Sequence, residues 1–251
     1  MISLITDFSS KEHYAGVIKG MLISANVNFV ELTNDIEPYD VLHASYVLSN
    51  TYFYFPDNTV HLVIIDPGQS TIVPGIVVKL DKGYFVGPNN GILTLLKENI
   101  KEAYEIIPFQ GMRPVDRWKY LYTIPSIKLA LNQWPDNLKR INTSEIKFLN
   151  IPNPVLSMER IVASIIHIDR FGNIVLNIKG DIIKFSYGEE MFLNYNGIHK
   201  LTFRTSYSEG SKEEFMLLVN SENYLEIAIN GGNAAMKLNA RKMDIVSLEF
   251  K

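Results

Sequence analysis

The sequence predicts an α/β N-terminal domain with a mostly parallel sheet, followed by a small all-β, barrel-like C-terminal domain. Three observations predict it. Apolar β-rich runs alternate with helix-spaced apolar positions between Ile2 and Trp134. Ile151-Pro152-Asn153-Pro154, a poor former of either helix or strand, then interrupts the pattern. Beyond it come only short alternating or apolar runs with turn residues between them. The domains are therefore read as residues 1–150 and 157–251, with 151–156 as the linker.

Residues 2–5 form the first strand, Thr6 to Ser10 a polar turn, and Tyr14, Val17, Ile18, Met21, Leu22 and Ala25 recur at helical spacing. Strand, turn and helix make half a βαβ unit, and ligands of such sheets gather at the carboxyl ends of the strands, where Asp7 stands. Asp7 and Glu12 are anionic and the turn lacks the glycines of a phosphate cradle, so the position suits a neutral or cationic ligand such as ribose hydroxyls. A helix start, with Ser9 or Ser10 as cap and Glu12 favouring the dipole, explains the same residues.

Residues 29–32 form the next strand, and Asp40 opens a helix carrying Val41, Ala44, Val47 and Leu48 as far as Phe55. The run 60–65 reads as a strand buried on both faces, ending at Asp66-Pro67-Gly68. Strands over 76–80 and 84–86 flank Asp81-Lys82-Gly83, a helix follows Gly91, and 103–107 is again a strand. Thr123 is read as the cap of a helix bearing Ile127, Ala130, Leu131 and Trp134, with Pro125 in its first turn. In the C-terminal half, strands are expected over 161–168, 174–178, 190–195, 200–203, 215–219, 225–229 and 245–250.

Composition narrows the function. The 251 residues carry a net charge of −3 and no basic run, which argues against a nucleic-acid surface. The absence of cysteine excludes disulfides, thiolate metal sites and cysteine nucleophiles. Neither a signal-peptide pattern nor a membrane-length apolar segment is seen, so a cytoplasmic location is expected. The five histidines lack metal-ligand spacing, and no metal or bound cofactor is expected.

Asp66 ends the most apolar strand, where poor solvation would raise its pKa and sharpen its hydrogen bond to a nucleophile; as a turn starter it would be unremarkable. Asp169-Arg170-Phe171-Gly172-Asn173 joins two expected strands. Its carboxamide and aromatic face suit an adenine, and a plain hairpin turn accounts for it equally. Asn220-Ser221-Glu222 is another turn, and Glu226, inside an apolar strand, needs a partner or a solvent-facing side.

These loops also occur in a specific order. Leu4-Ile5-Thr6-Asp7-Phe8 with Tyr14-Ala15-Gly16, Thr33-Asn34-Asp35-Ile36, Asp66-Pro67-Gly68, Gly87-Pro88-Asn89-Asn90-Gly91, Ile168-Asp169 with Phe171-Gly172-Asn173, and Tyr224-Leu225-Glu226-Ile227-Ala228 follow one another along the chain. The series resembles the S-adenosyl-L-methionine hydroxide adenosyltransferases, relatives of the fluorinase and chlorinase, over most of the chain except residues 105–150. The resemblance implies a nucleoside-binding α/β domain, a β-barrel-like second domain, and a homotrimer with sites between subunits. It implies attack of water on C5′ of S-adenosylmethionine, the substrate, releasing adenosine and methionine without a cofactor. Nucleic acid and membrane are not implied as partners.

By position, the resemblance gives Asp7 the ribose hydroxyls, puts Tyr39 beside the substrate, and gives Phe171 and Asn173 the adenine. Glu12, Asp169, Ser221 and Glu226 fall near the methionine end or adjacent nucleoside contacts, and the backbone from Ile229 to Gly231 near the base edge. Water-using members carry an Asp–Arg–His set. Asp66 matches the aspartate, whereas Val73 stands at the arginine and Trp118 or Gln110 at the histidine, depending on the anchor. Ser9 replaces a glycine and Asn89 an acid. Two readings follow: a hydrolase relying on Asp66, with Arg113 or Arg117 supplying positive charge, or a module that binds adenosine or S-adenosylmethionine without turnover or uses another nucleophile.

Overall fold

The computed structural model describes residues 1–65 and 73–250, in two compact units, Met1–Leu149 and Asn150–Lys251. The first unit is built on β1 (Ile2–Thr6), β2 (Phe29–Thr33), β3 (Val60–Ile64), β4 (Gly75–Leu80), β5 (Tyr84–Pro88), β6 (Ile100–Ile106) and β7 (Leu138–Ile141). Their order is β2-β1-β3-β5-β4-β6-β7, parallel from β2 to β5 and antiparallel from β5 to β7. The chain leaves β1 to one side for β2 and returns to its other side for β3. That reversal opens a crevice at the carboxyl ends of β1 and β3, because the flanking crossovers go to opposite faces.

Strand alternation divides the apolar residues between the two faces. Ile2, Leu4, Leu62 and Ile64 pack with Ile18 and Leu22 of α1 (His13–Ser24) and Leu129 of a helix at Ile124–Ala130. Ile5, Val63 and Ile65 pack on the other side with Ala44 and Leu48 of α2 (Val41–Thr51). The Asp40 carboxylate accepts the His43 N–H at 2.9 Å and caps α2 as expected.

The buried face of α1 keeps Ile18 and Leu22 of the expected series and differs from it at Tyr14, Val17 and Ala15. Its buried positions are Ala15, Ile18 and Leu22, while Tyr14 and Val17 are exposed. Neither Ser9 nor Ser10 caps it: Glu12 is the boundary residue and makes no side-chain cap bond, Ser10 binds Asp35, and Ser9 Oγ accepts the Lys11 N–H. Ser9 instead adopts φ 63°, the left-handed region a glycine takes without strain, which accounts physically for the glycine at this place in the resembling series.

After Gly91 a 3₁₀ turn, Thr94–Asn99, takes the place of a full helix. A π-helical segment, Trp118–Thr123, runs directly into α3 (Ile124–Ala130), so the helical path starts earlier than expected. Thr123 stands at the start of α3 but makes no side-chain cap bond; its hydroxyl donates to the Trp118 carbonyl at 2.8 Å, satisfying an oxygen inside the π turn. Trp134 lies beyond α3 and packs edge-on against Tyr104.

The second unit is a closed barrel. β9 (Arg160–Ile168), β10 (Ile174–Lys179), β11 (Glu190–Asn194), β12 (Ile198–Phe203), β13 (Phe215–Val219), β14 (Tyr224–Ile229) and β15 (Ile245–Phe250) make the ring, with β8 (Val155–Leu156) added outside β9. The ring runs β10-β14-β13-β12-β11-β15-β9, and pairing of β9 with β10 closes it. Alternate residues such as Ile165, Leu176, Leu193, Leu217, Ile227 and Leu248 fill the interior. A short helix not expected from the sequence, α4 (Ala234–Leu238), begins where the Asn233 side chain accepts the Met236 N–H. Among the described residues, no helix is long and apolar enough to cross a membrane.

Candidate functional site

In the first unit, the reversal at β1 and β3 holds a cleft of about 460 Å³. Its floor is Ile64 and Ile65, and its walls include Asp7, Phe8, Glu12, Tyr14, Pro38, Tyr39, Arg117 and Trp118. The loops after β1 and β2 are tied together before any ligand arrives. The Ser9 N–H donates to the Asn34 carbonyl at 2.8 Å, the Thr6 hydroxyl to Asn34 Oδ1 at 3.1 Å, and the Ser10 N–H to Asp35 Oδ1 at 3.0 Å. The Tyr39 N–H donates to Asp7 Oδ2 at 3.0 Å while Tyr39 holds φ 65°. A non-glycine residue in the left-handed region is strained, and the carboxylate is what receives its backbone amide. Asp7 is thus fixed at the strand end with its charge facing the cleft.

Phe8, Tyr14 and Trp118 form one aromatic wall. Their ring centroids lie 5.5 Å apart for Phe8–Tyr14, 6.0 Å for Phe8–Trp118 and 6.1 Å for Tyr14–Trp118. Tyr14 therefore lines the cleft and is not a core position of α1. Sequence reasoning missed this wall because its members come from a loop, a helix and a π turn. The π turn is the element that swings Trp118 to the cleft, and no local propensity announces it.

Of the two positions considered for a histidine, Trp118 lines the cleft, whereas Gln110 sits on an exposed turn and does not. Val73 is buried. Arg117 lines the cleft. Arg113 is instead bound to Asp116 at 2.7 Å, and its guanidinium holds that carboxyl below the usual carboxylate range. Asp66 lies outside the described residues; Ile65, immediately before it, is part of the cleft floor. Asn89 is structural in this chain. Its Nδ2 donates to the Glu145 carbonyl at 3.0 Å and its Oδ1 accepts the Lys147 N–H at 2.8 Å, tying β5 to the end of the unit.

His61 is likewise structural: it is fully buried, 2.7 Å from the Ser3 hydroxyl through Nδ1, and burial pushes its pKa down to about 4.

In the second unit, Asp169 organises the turn that carries Phe171 and Asn173. Its Oδ1 accepts the N–H groups of Phe171 and Asn173 at 2.9 and 2.8 Å, and its Oδ2 accepts Asn173 Nδ2 at 2.9 Å. Gly172 cannot be replaced here, since a Cβ would stand 2.1 Å from the Asn233 side chain and φ is 85°. The turn leaves the Phe171 ring 75% exposed while Asn173 is buried.

Glu226 is buried with both oxygens engaged, by the Tyr207 hydroxyl at 2.8 Å and Asn220 Nδ2 at 3.1 Å. Burial pushes its carboxyl up, the two hydrogen bonds oppose that, and the negative charges of Asp169 and Glu222 add to it. Tyr207, which sequence reasoning did not single out, is the partner this buried charge requires. Ser221 is exposed on Glu222, at 2.9 Å. Ile229 is buried with its carbonyl accepting the Gly232 N–H, and Gly231 sits at φ 66°.

Comparison with known proteins decides the family. The model of the SAM hydroxide adenosyltransferase N-terminal domain matches residues 2–118, and that of the C-terminal domain matches residues 163–247. The chain belongs to the SAM hydroxide adenosyltransferase family. A family relative from Methanocaldococcus jannaschii, named (R)-S-adenosyl-L-methionine hydrolase, is 30% identical over all of this chain and 96% of its own length. A fluorinase from Actinopolyspora mzabensis is 22% identical over 96% of this chain and 94% of its own. A solved structure of an uncharacterised conserved protein from Thermotoga maritima superposes with a TM-score of 0.89 at 26% identity, covering 99% of each chain. A second, from Thermus thermophilus, gives 0.82 at 23% and shares the fold.

Proposed function

We propose that this chain hydrolyses S-adenosyl-L-methionine to adenosine and L-methionine. The observation that carries the reading is the Asp7 cleft at the switch point, with a fixed carboxylate for ribose hydroxyls and an aromatic wall beside it. Membership of the family, and relatives named for hydrolysis of the (R) sulfonium, support the substrate. In the reaction, water forms the C5′–O bond as the C5′–S bond breaks. The bonding pair leaves with sulfur, which becomes a neutral thioether, and Asp66 receives the proton. Sulfonium is a good leaving group, so the protein's work is mainly alignment and desolvation of the nucleophile.

In this proposal Asp66 polarises the water and Arg117, lining the cleft, supplies the positive charge otherwise expected at the position of Val73. Phe171 and Asn173 take the adenine, Asp169 holding their turn, with the backbone of Ile229 to Gly231 at the base edge. Glu12, Ser221 and Glu226 serve the methionine end. A homotrimer brings the cleft of one subunit to the Phe171–Asn173 turn of another.

One observation favours a second reading, an adenosine- or S-adenosylmethionine-binding module without this turnover: neither Trp118, which lines the cleft, nor Gln110, the two positions open to the histidine of the hydrolytic set, is a group that exchanges a proton usefully. Incubation with S-adenosylmethionine and chromatography for adenosine separates the two. The hydrolase reading expects adenosine from wild type and almost none from Asp66→Asn, whose carboxamide keeps the shape and accepts no proton, with adenosine affinity retained. Absence of adenosine from wild type, with adenosine still bound, leaves the binding module.

A further inference from the structure

Trp118, the residue at the histidine position under one of the two anchors, lines the cleft. It completes a wall with Phe8 and Tyr14, every ring within 6.1 Å of the other two. Among the described residues, two carboxylates, Asp7 and Glu12, stand in the same cleft with one guanidinium, Arg117. Aromatic faces attract cations through the ring quadrupole, most strongly for indole, and more so where water is thinned out. Trp118 already takes one cation: Lys119 Nζ lies 4.9 Å from its ring centroid, steadied by Asp116 at 3.5 Å.

We propose that Trp118, with Phe8 and Tyr14, is a charge-reading element that makes the cleft prefer a positively charged sulfur or nitrogen centre over its neutral thioether counterpart. This rests on the S-adenosylmethionine reading of the cleft. Its position suits the role, because Asp7 is assigned to ribose and Glu12 to the methionine end, and the wall lies among the same lining residues. A preference of this kind also has a consequence for turnover. Loss of the sulfonium charge in the reaction removes the attraction, so the wall holds the substrate and relaxes its hold on the neutral products. Lys119, a like charge on the same indole, sets the strength of that hold.

The test compares two ligands by calorimetry. One is the carbon analogue of S-adenosylmethionine in which an ammonium-bearing carbon replaces sulfur, which C5′ cannot lose as a thioether. The other is S-adenosylhomocysteine, the neutral thioether. Wild type is expected to favour the cation, and Trp118→Leu to cut that preference about tenfold, with Trp118→Phe in between. Lys119→Ala is expected to raise it, leaving the thioether affinity unchanged. A preference identical in wild type and both Trp118 variants overturns the inference. If Trp118→Leu does not fold, Tyr14→Leu and Trp118→Phe carry the same comparison. Wild type binding adenosine and thioether but showing no preference for the cation defeats the inference alone. Wild type binding none of these ligands defeats the reading of the cleft and the inference with it.

Discussion

Asp7 performs two separable jobs, and two substitutions distinguish them. One oxygen receives the Tyr39 amide at 3.0 Å, holding a residue at φ 65°; the carboxylate charge as a whole faces the cleft. Asp7→Asn preserves an oxygen that can accept from Tyr39, so the loop latch survives while the charge is lost. Asp7→Ala removes both. A partly exposed hydrogen bond of this kind contributes about 1 kcal/mol. In a chain of this size that corresponds to a Tm shift of about 2–4 °C. Asp7→Ala is therefore expected to melt about 2–4 °C below Asp7→Asn, which should lie near wild type.

Ligand affinity divides differently. Two ribose hydroxyls donating to a carboxylate lose about 1–3 kcal/mol when it becomes neutral, so both variants should bind adenosine about 10- to 100-fold more weakly. Differential scanning calorimetry and isothermal titration with adenosine read the two effects on the same samples. If Asp7→Asn binds adenosine like wild type, the ribose assignment is wrong. If Asp7→Ala melts no lower than Asp7→Asn, the latch contributes nothing.

Three further outcomes follow from the geometry. Asn89→Asp, which restores the acid of the resembling series, should destabilise by about 2–4 kcal/mol in denaturant unfolding, because a buried carboxylate would then face the Glu145 carbonyl that Nδ2 now satisfies. Burial raises the folded-state pKa of Glu226, so the folded protein holds a proton that the unfolded chain releases as pH rises. The cost is absent below its ordinary value of 4.5 and grows above it, so Glu226→Gln should gain stability over wild type at pH 7 and lose that gain at pH 4, read from urea midpoints. Ser9→Gly should raise stability by about 0.5–1 kcal/mol, since it relieves a left-handed serine at the loss of one exposed bond to the Lys11 amide; an unchanged or lowered melt would contradict the strain.

The elements legible in the sequence are those whose cause is local. The run at 60–65 yields a fully buried strand, Val60–Ile64, because all of it but His61 is aliphatic, and Asp40 starts α2 because its side chain reaches the His43 amide three residues on. Alternation of apolar residues marked each barrel strand, since period two requires no knowledge of the neighbour. The same locality placed Asp7 at a strand end. Of the helix-spaced apolar positions of α1, Ile18 and Leu22 are buried, whereas Tyr14 and Val17 are exposed and Ala15, outside that series, is buried. Spacing defines a stripe, and packing chooses which stripe is turned inward.

By itself, then, the sequence determined the two-part architecture, the strand order of events along the chain, and the carboxylate at the end of β1. Only the tertiary structure decided what surrounds that carboxylate. Trp118, at the start of a π turn, is more than a hundred residues from Phe8 and Tyr14 and meets them only in the folded chain. Arg117 reaches the cleft while Arg113, four residues earlier, is held by Asp116. Glu226 finds Tyr207 and Asn220 across the barrel wall. The contacts of Trp118 with Phe8 and Tyr14, and of Tyr207 with Glu226, are long-range, and their energy arises only once the backbone has closed the distance, so no short window of sequence contains them.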